Sequence, residues 1–122
     1  MPDKNQTVII TGGTGFIGSR IAVRLIEEGF NVRVITRLSS DIDEIEPYLD
    51  RMELFRFDGK TNSLIEYFKA EKADVVVHLA SFAVFQHESD QVEAMIDANL
   101  KFGTQVLEAM ATAGVDSFIN TG

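Results

Sequence analysis

The residues best suited to chemistry form a glycine-rich hexad, Gly13-Thr14-Gly15-Phe16-Ile17-Gly18. Glycines at this spacing meet three physical demands of a phosphate-binding turn. These are a tight reversal, close approach of backbone to a pyrophosphate and, at Gly18, close packing of a helix on a strand. Main-chain N–H groups at the start of the helix then face the phosphates, and the helix dipole favours their negative charge. The hexad alone is weak evidence, because three glycines also build a purely structural turn. Its setting strengthens it: an apolar strand precedes it, an amphipathic helix follows, and a second strand begins at Asn31.

About twenty residues beyond such a turn, an enzyme that prefers NAD places a carboxylate against the ribose 2′-hydroxyl. Here the stretch reads Val34-Ile35-Thr36-Arg37-Leu38-Ser39-Ser40, with no carboxylate before Asp41. Arg37 is placed instead to pair with a 2′-phosphate, as a planar guanidinium does well. Thr36, Ser39 or Ser40 could add hydroxyl contacts. NADP is therefore the expected cofactor, with NAD the alternative if Arg37 is only a solvated surface residue. Asp58, followed by Gly59, has the chemistry to accept from an exocyclic amine at the C-terminal edge of a strand; capping its own turn is an equal alternative. His78, lone in an apolar strand, reads as a packed structural residue rather than a catalyst. His87 stands at no ligand spacing from it, and no metal site is expected.

These residues need elements to hold them, and the hydrophobic periods supply a set. Thr7 to Thr11 is a β-branched run read as a strand buried on both faces. Ile17, Ile21, Leu25 and Ile26 then fall at helical spacing, and Glu27-Glu28-Gly29 ends that helix. Asn31 to Thr36 is a second strand, Ser39-Ser40-Asp41 could cap a short helix bounded by Pro47, and Met52 to Phe57 is a third strand. Leu64, Ile65 and Phe68 mark a short helix, and Val75 to Leu79 a fourth strand. A long helix is expected from Gln91 to Ala113, with Met95, Ile96, Asn99, Phe102, Val106, Leu107 and Met110 inward. Gly114 ends it, and Ser117 to Thr121 begins a fifth strand. Alternating strands and helices with continuous apolar strands predict an α/β Rossmann-type, doubly wound parallel sheet of order 3-2-1-4-5.

With 122 residues, the chain is expected to be one domain over 1–122, and with no cysteine it holds neither a disulfide nor a zinc–thiolate site. Net charge is −8 with scattered basic residues, which argues against nucleic-acid or anionic-membrane binding. Met1 to Gln6 is polar, and no apolar run approaches a membrane span, so a cytosolic protein is expected. Phe82, Phe85, Phe102 and Phe118 read as core or rim packing, and Glu88, Asp90, Glu93 and Asp97 as a solvated face.

Taken together, the motifs resemble the extended short-chain dehydrogenase/reductases, the NAD-dependent epimerases/dehydratases. Thr11-Gly12-Gly13-Thr14-Gly15-Phe16-Ile17-Gly18 is similar to the family's TGxxGxxG turn, and Asp58 to its adenine-binding aspartate. His78-Leu79-Ala80-Ser81 resembles the HLAA segment, and Asn99 to Glu108 (NLKFGTQVLE) the family's helix that carries Asn, Gly-Thr and Leu-Glu. The resemblance implies cofactor contacts from Gly12, Gly15, Phe16, Ile17, Gly18, Arg37, Asp58, Gly59, Leu79, Ala80, Ser81 and Asn99. Ala80 and Ser81 would floor the nicotinamide-side ribose. Asn99 must be hydrogen-bonded on an inward stripe, and pinning a neighbouring backbone is its favoured role.

The resemblance also implies a catalytic Ser/Thr and a Tyr-x-x-x-Lys pair. Only Tyr48 and Tyr67 occur, followed four residues later by Met52 and Glu71, so no catalytic residue is assigned in this chain. The expectation is an N-terminal portion of a longer oxidoreductase, epimerase or dehydratase acting on a nucleotide-sugar, binding cofactor without catalysing. Its fifth strand would leave an exposed edge and an apolar face, making the chain inclined to associate. In the parent a homodimer is implied, built mostly from helices beyond this portion. A non-catalytic dinucleotide-binding or redox-sensing module is the alternative.

Overall fold

The computed structural model describes residues 6–38, 41–79, 89–96 and 100–120. Its strands are β1 (Thr7–Thr11), β2 (Asn31–Arg37), β3 (Glu53–Phe57), β4 (Val75–His78) and β5 (Phe118–Asn120). Its helices are α1 (Phe16–Glu27), α2 (Thr61–Glu71), α3 (Val92–Ile96) and α4 (Phe102–Ala113), with short 3-10 turns at Glu46–Tyr48 and Ser89–Gln91. The strands form one parallel sheet in the order β3-β2-β1-β4-β5, as the alternation of periods predicted.

Strand pleating divides the core between the two faces of this sheet. Ile9, Ile35 and Val76 point to one face and pack with Leu64 and Phe68 of α2 and Val106, Ala109 and Met110 of α4. Val8, Ile10, Val32, Val34 and Val77 point to the other, against Ala22 and Ile26 of α1 and against Ile45 and Met52. Successive residues facing opposite sides, both covered, explain why the strands read as unbroken apolar runs.

The helices depart from their predicted faces in instructive ways. In α1 the buried residues are Gly18, Ser19, Ala22 and Ile26, while Ile17 is 63% exposed. Ile17, Ile21 and Leu25 instead line a shallow outward groove with Arg20 and Arg24. Small side chains take the inner face because the helix begins almost on top of the preceding turn. The region expected as one helix from Gln91 to Ala113 contains a 3-10 turn through Gln91 followed by α3 and α4, with residues 97–99 outside those described. Within α4 the inner stripe is Phe102, Gln105, Val106, Ala109 and Met110, whereas Leu107 is 53% exposed. Ile96, also expected inward, is exposed. Asp41 accepts from Asp43 N–H at 2.8 Å, but the short 3-10 helix that follows takes Ile45 as its N-cap with no side-chain cap; Ser39 and Ser40 lie outside the described residues. Among the described residues no helix is long and apolar enough to cross a membrane.

Candidate functional site

The register brings the sequence-predicted residues to one rim of the sheet. Thr11, at the end of β1, pairs with Ile35 of β2 and His78 of β4, and Arg37 pairs with Phe57 of β3. Gly12, Arg37, Asp58 and Leu79 therefore follow or end four adjacent strands at their C-terminal edges. In parallel α/β sheets this edge is where ligands bind.

Gly18 has the close-packing role its spacing suggests, and the structure assigns the other glycines of the turn. Gly12, with φ of 74°, supplies the tight reversal, and its carbonyl accepts from Gly15 N–H at 3.2 Å. Gly13 makes room for the sheet, since a Cβ there would lie 2.8 Å from Val34 Cγ1. Gly18 is the close-packing glycine, because a Cβ would sit 1.9 Å from the Gly12 carbonyl oxygen. Gly15 is different. It is exposed with ordinary extended torsions (φ −79°, ψ 176°), and a Cβ would meet nothing nearer than Gly12 O at 3.6 Å.

Gly15 is also the N-cap of α1, with no side-chain cap and no acidic residue in the first turn. The first-turn N–H groups of Phe16 and Ile17 thus open toward an anion at the positive end of the helix. The Phe16 ring carries Arg20, whose guanidinium carbon lies 4.2 Å from the ring centroid. Arg37 is exposed, and its guanidinium has no partner among the described residues; only its carbonyl is engaged, by Arg56 Nη1. Thr36, next to Arg37 at the end of β2, is buried.

Asp58 holds its own turn, one of the two roles the sequence offered for it. One carboxylate oxygen accepts from Lys60 N–H at 2.9 Å and the other from the Ser63 hydroxyl at 2.8 Å, which caps the start of α2. The Lys60 amide first, and then Ser63, hold this carboxyl below the usual carboxylate range. Both oxygens keep lone pairs and the residue is exposed, so a further donor can be accepted. Gly59, with φ of 89°, makes the turn that follows.

His78 is the packed residue expected. Its Nδ1 shares a 2.7 Å hydrogen bond with Thr11 Oγ1, and its ring lies against Phe102 and Phe118. Burial holds its pKa below the ordinary histidine value. Thr11 Oγ1 also accepts from Leu79 N–H at 3.1 Å, so one hydroxyl locks the end of β4 and the start of the next loop. Ala80, Ser81 and Asn99 lie outside the described residues.

Sequence alone places Thr11 at the end of the strand and the head of the glycine motif without giving its hydroxyl partners, and it assigns Gln105 no role. Gln105 is buried in the apolar stripe of α4 and donates from Nε2 to Gly59 O at 2.9 Å and Thr61 Oγ1 at 3.1 Å. The available signal was an amide at helical spacing from Phe102 and Ala109, where burial demands partners.

The geometry offers main-chain N–H donors for phosphate, a cation and a carboxylate along one edge, with no acid/base residue beside them among the described residues. Tyr67 stacks on Phe55 with centroids 4.1 Å apart; burial first, then the charges of Glu71 and Glu53, push its phenol pKa up. A proton-transfer tyrosine needs the opposite shift. No group of three or more metal-ligating side chains occurs among the described residues.

Known proteins share this fold. UDP-arabinose 4-epimerase 1 of Arabidopsis thaliana is 32% identical over 92% of this chain, which spans 29% of that protein. Among solved structures, a UDP-glucose 4-epimerase of Thermus thermophilus in complex with NAD superposes with a TM-score of 0.80. It is 27% identical, over 93% of this chain and 36% of its own. An epimerase from Methanothermobacter thermautotrophicus superposes with a TM-score of 0.81 at 31% identity, over 95% of this chain and 34% of its own. The chain thus spans about a third of the length of the relatives it matches. The model of the NAD dependent epimerase/dehydratase family matches residues 8–122, and the chain belongs to that family.

Proposed function

We propose that residues 1–122 form the dinucleotide-binding portion of an enzyme acting on a nucleotide-linked sugar, and that they bind NADP(H) without catalysing by themselves. The observation that carries this reading is Gly15. Nothing within the protein requires a glycine there, so the demand comes from a ligand brought against the backbone at the open N-terminus of α1. The pyrophosphate would lie on the Gly12–Gly18 turn, Arg37 would meet the 2′-phosphate, and Asp58 would accept from the adenine amine. Leu79, held by Thr11, would line the path toward the nicotinamide, with Gly59, Ala80, Ser81 and Asn99 assigned beside the cofactor by sequence.

When bound, the nicotinamide accepts and returns a hydride. This chain's part is to orient the dinucleotide along the strand edges. The acid/base step belongs to residues other than Tyr48 and Tyr67, neither of which is followed by a lysine at the fourth position. The UDP-sugar 4-epimerases among its relatives support a nucleotide-sugar as substrate of the whole enzyme.

A second reading, NAD in place of NADP, is favoured by the solved relative that holds NAD. Calorimetric titration of the 122-residue chain with each dinucleotide separates the two. Tighter NADP⁺ binding that falls about ten- to a hundredfold in Arg37→Ala, with NAD⁺ unchanged, is the expected result. Equal affinities would leave NAD as the cofactor. A folded chain that binds neither overturns the cofactor reading.

The proposal includes a homodimer. Val92, Ile96, Leu100 and Leu107 are all exposed. Leu100 and Leu107, seven residues apart just before and within α4, support extending the dimer contact into this chain rather than confining it to helices beyond.

A further inference from the structure

Asp58 lies in an exposed turn, and what aims its carboxylate is not obvious from that turn alone. Asp58, Gly59 and Lys60 are all exposed, so packing does little to hold them. The carboxylate's own bonds to Lys60 N–H and Ser63 Oγ tie it to the start of α2 but not to the sheet rim. The tie across the fold comes from Gln105, forty-six positions away on α4. Its amide nitrogen has two hydrogens, and both are used here: one on Gly59 O, one on Thr61 Oγ1. These acceptors flank the amide of Lys60 that binds Asp58. Gln105 is buried on the same helix that sends Phe102, Val106 and Ala109 into the core, where an apolar side chain would bury without needing partners.

We infer that Gln105 is a positioning residue for recognition of the adenine base: by clamping the carbonyl of Gly59 and the hydroxyl of Thr61, it sets the direction in which Asp58 presents its free lone pairs. This rests on the cofactor reading above and adds to it a residue outside the strand edge, on the opposite wall of the α2–α4 layer. Gly59 adopts a left-handed φ of 89°, and a Cβ there would meet nothing within 4 Å. The turn is therefore under-packed, and without the amide its two ends have only the short Asp58 cap to hold their orientation.

The test is base discrimination rather than affinity alone. NADP⁺ and NAD⁺ are each titrated against the chain alongside the hypoxanthine analogue, which lacks the exocyclic amine that Asp58 would bind. The wild-type preference for adenine should fall about three- to tenfold in Gln105→Leu. It should be lost in Asp58→Ala, with no further change when the two substitutions are combined. Binding of the hypoxanthine analogue should stay near wild type, whereas general loosening would weaken both ligands alike. Thr61→Val removes one of the two acceptors and should lower the preference by a smaller factor, which serves if Gln105→Leu does not fold. Unchanged preference in folded Gln105→Leu or, in its place, in folded Thr61→Val, with the preference lost in Asp58→Ala, overturns the role of Gln105 and leaves the cofactor reading intact. Failure of the wild-type chain to bind any dinucleotide overturns the cofactor reading and this inference with it.

Discussion

Gly15 and Gly18 stand three residues apart in one motif, yet the forces that require them are unrelated. At Gly18 the requirement is internal, because an added methyl would collide with the Gly12 carbonyl. Gly18→Ala should therefore cost about 3 kcal/mol or more of stability, measured by urea unfolding. At Gly15 the methyl meets no obstacle, so Gly15→Ala should change stability by less than about 1 kcal/mol while lowering dinucleotide affinity about tenfold or more. Equal affinity in Gly15→Ala would remove the main support for a ligand at this turn. Tyr67 offers a contrasting case. Its hydroxyl is buried with no hydrogen-bond partner among the described residues, while the ring stacks on Phe55. Tyr67→Phe keeps the stack and removes an unsatisfied polar atom, so it should be neutral or stabilising by up to about 1 kcal/mol. A clear loss of stability in thermal unfolding would mean that the hydroxyl has a partner after all.

At the scale of elements, the end of β1 is joined to the end of β4 by more than the sheet ladder. Thr11 Oγ1 holds the Leu79 amide and the His78 ring, and Phe102 of α4 and Phe118 of β5 close over that ring. Because burial lowers the pKa of His78, the unfolded chain binds a proton below about pH 6.5 that the folded chain refuses. The histidine's contribution is therefore present above that pH and is lost as the pH falls through the lowered folded value. Urea midpoints at pH 7.5 and 5.5 should show the wild type losing stability on acidification and His78→Gln losing less. An identical pH dependence in both would assign the acid sensitivity to other groups. The opposite end of the sheet is held by charge. Arg33 of β2 pairs with Glu53 of β3 and, at 2.7 Å, with Glu71 of α2. The two ends are thus held differently, by ion pairing at one and by the Thr11 hydroxyl and the packed His78 ring at the other.

At the scale of the molecule, a net charge of −8 opposes any phosphorylated ligand at long range. Attraction must then be local, from Arg37 and the α1 N-terminus, within about a Debye length of 8–10 Å. The outward surface is uneven. Val77 faces the α1 side of the sheet, and Ile119, its partner in register on β5, is 54% exposed there. On α4 and just before it, Leu107 and Leu100 are exposed as well. Sedimentation of the wild-type chain should show self-association in the micromolar range that Leu100→Glu combined with Leu107→Glu abolishes. A monomer at all concentrations would withdraw the dimer from the proposed function.

The sequence by itself determined the class of sheet, the strand order, the rim on which Gly12, Arg37 and Asp58 meet, and the packed character of His78. These follow from local pattern: β-branched runs, glycine spacing, and the rule that parallel strands connect by right-handed crossovers. Tertiary structure decided which helix face turns inward. Of the stripe Ile17, Ile21, Leu25 and Ile26 in α1, Ile26 is buried and Leu25 packs against the core, while Ile17 turns outward, because Gly18 must approach the Gly12 carbonyl at that end. In α4, Leu107 lost its inward place to Ala109 and Gln105, whose amide answers acceptors on a turn far away in sequence. A hydrophobic period reports that a face exists. Its azimuth, and the partner of a buried polar group, depend on contacts between distant residues that no local spacing encodes.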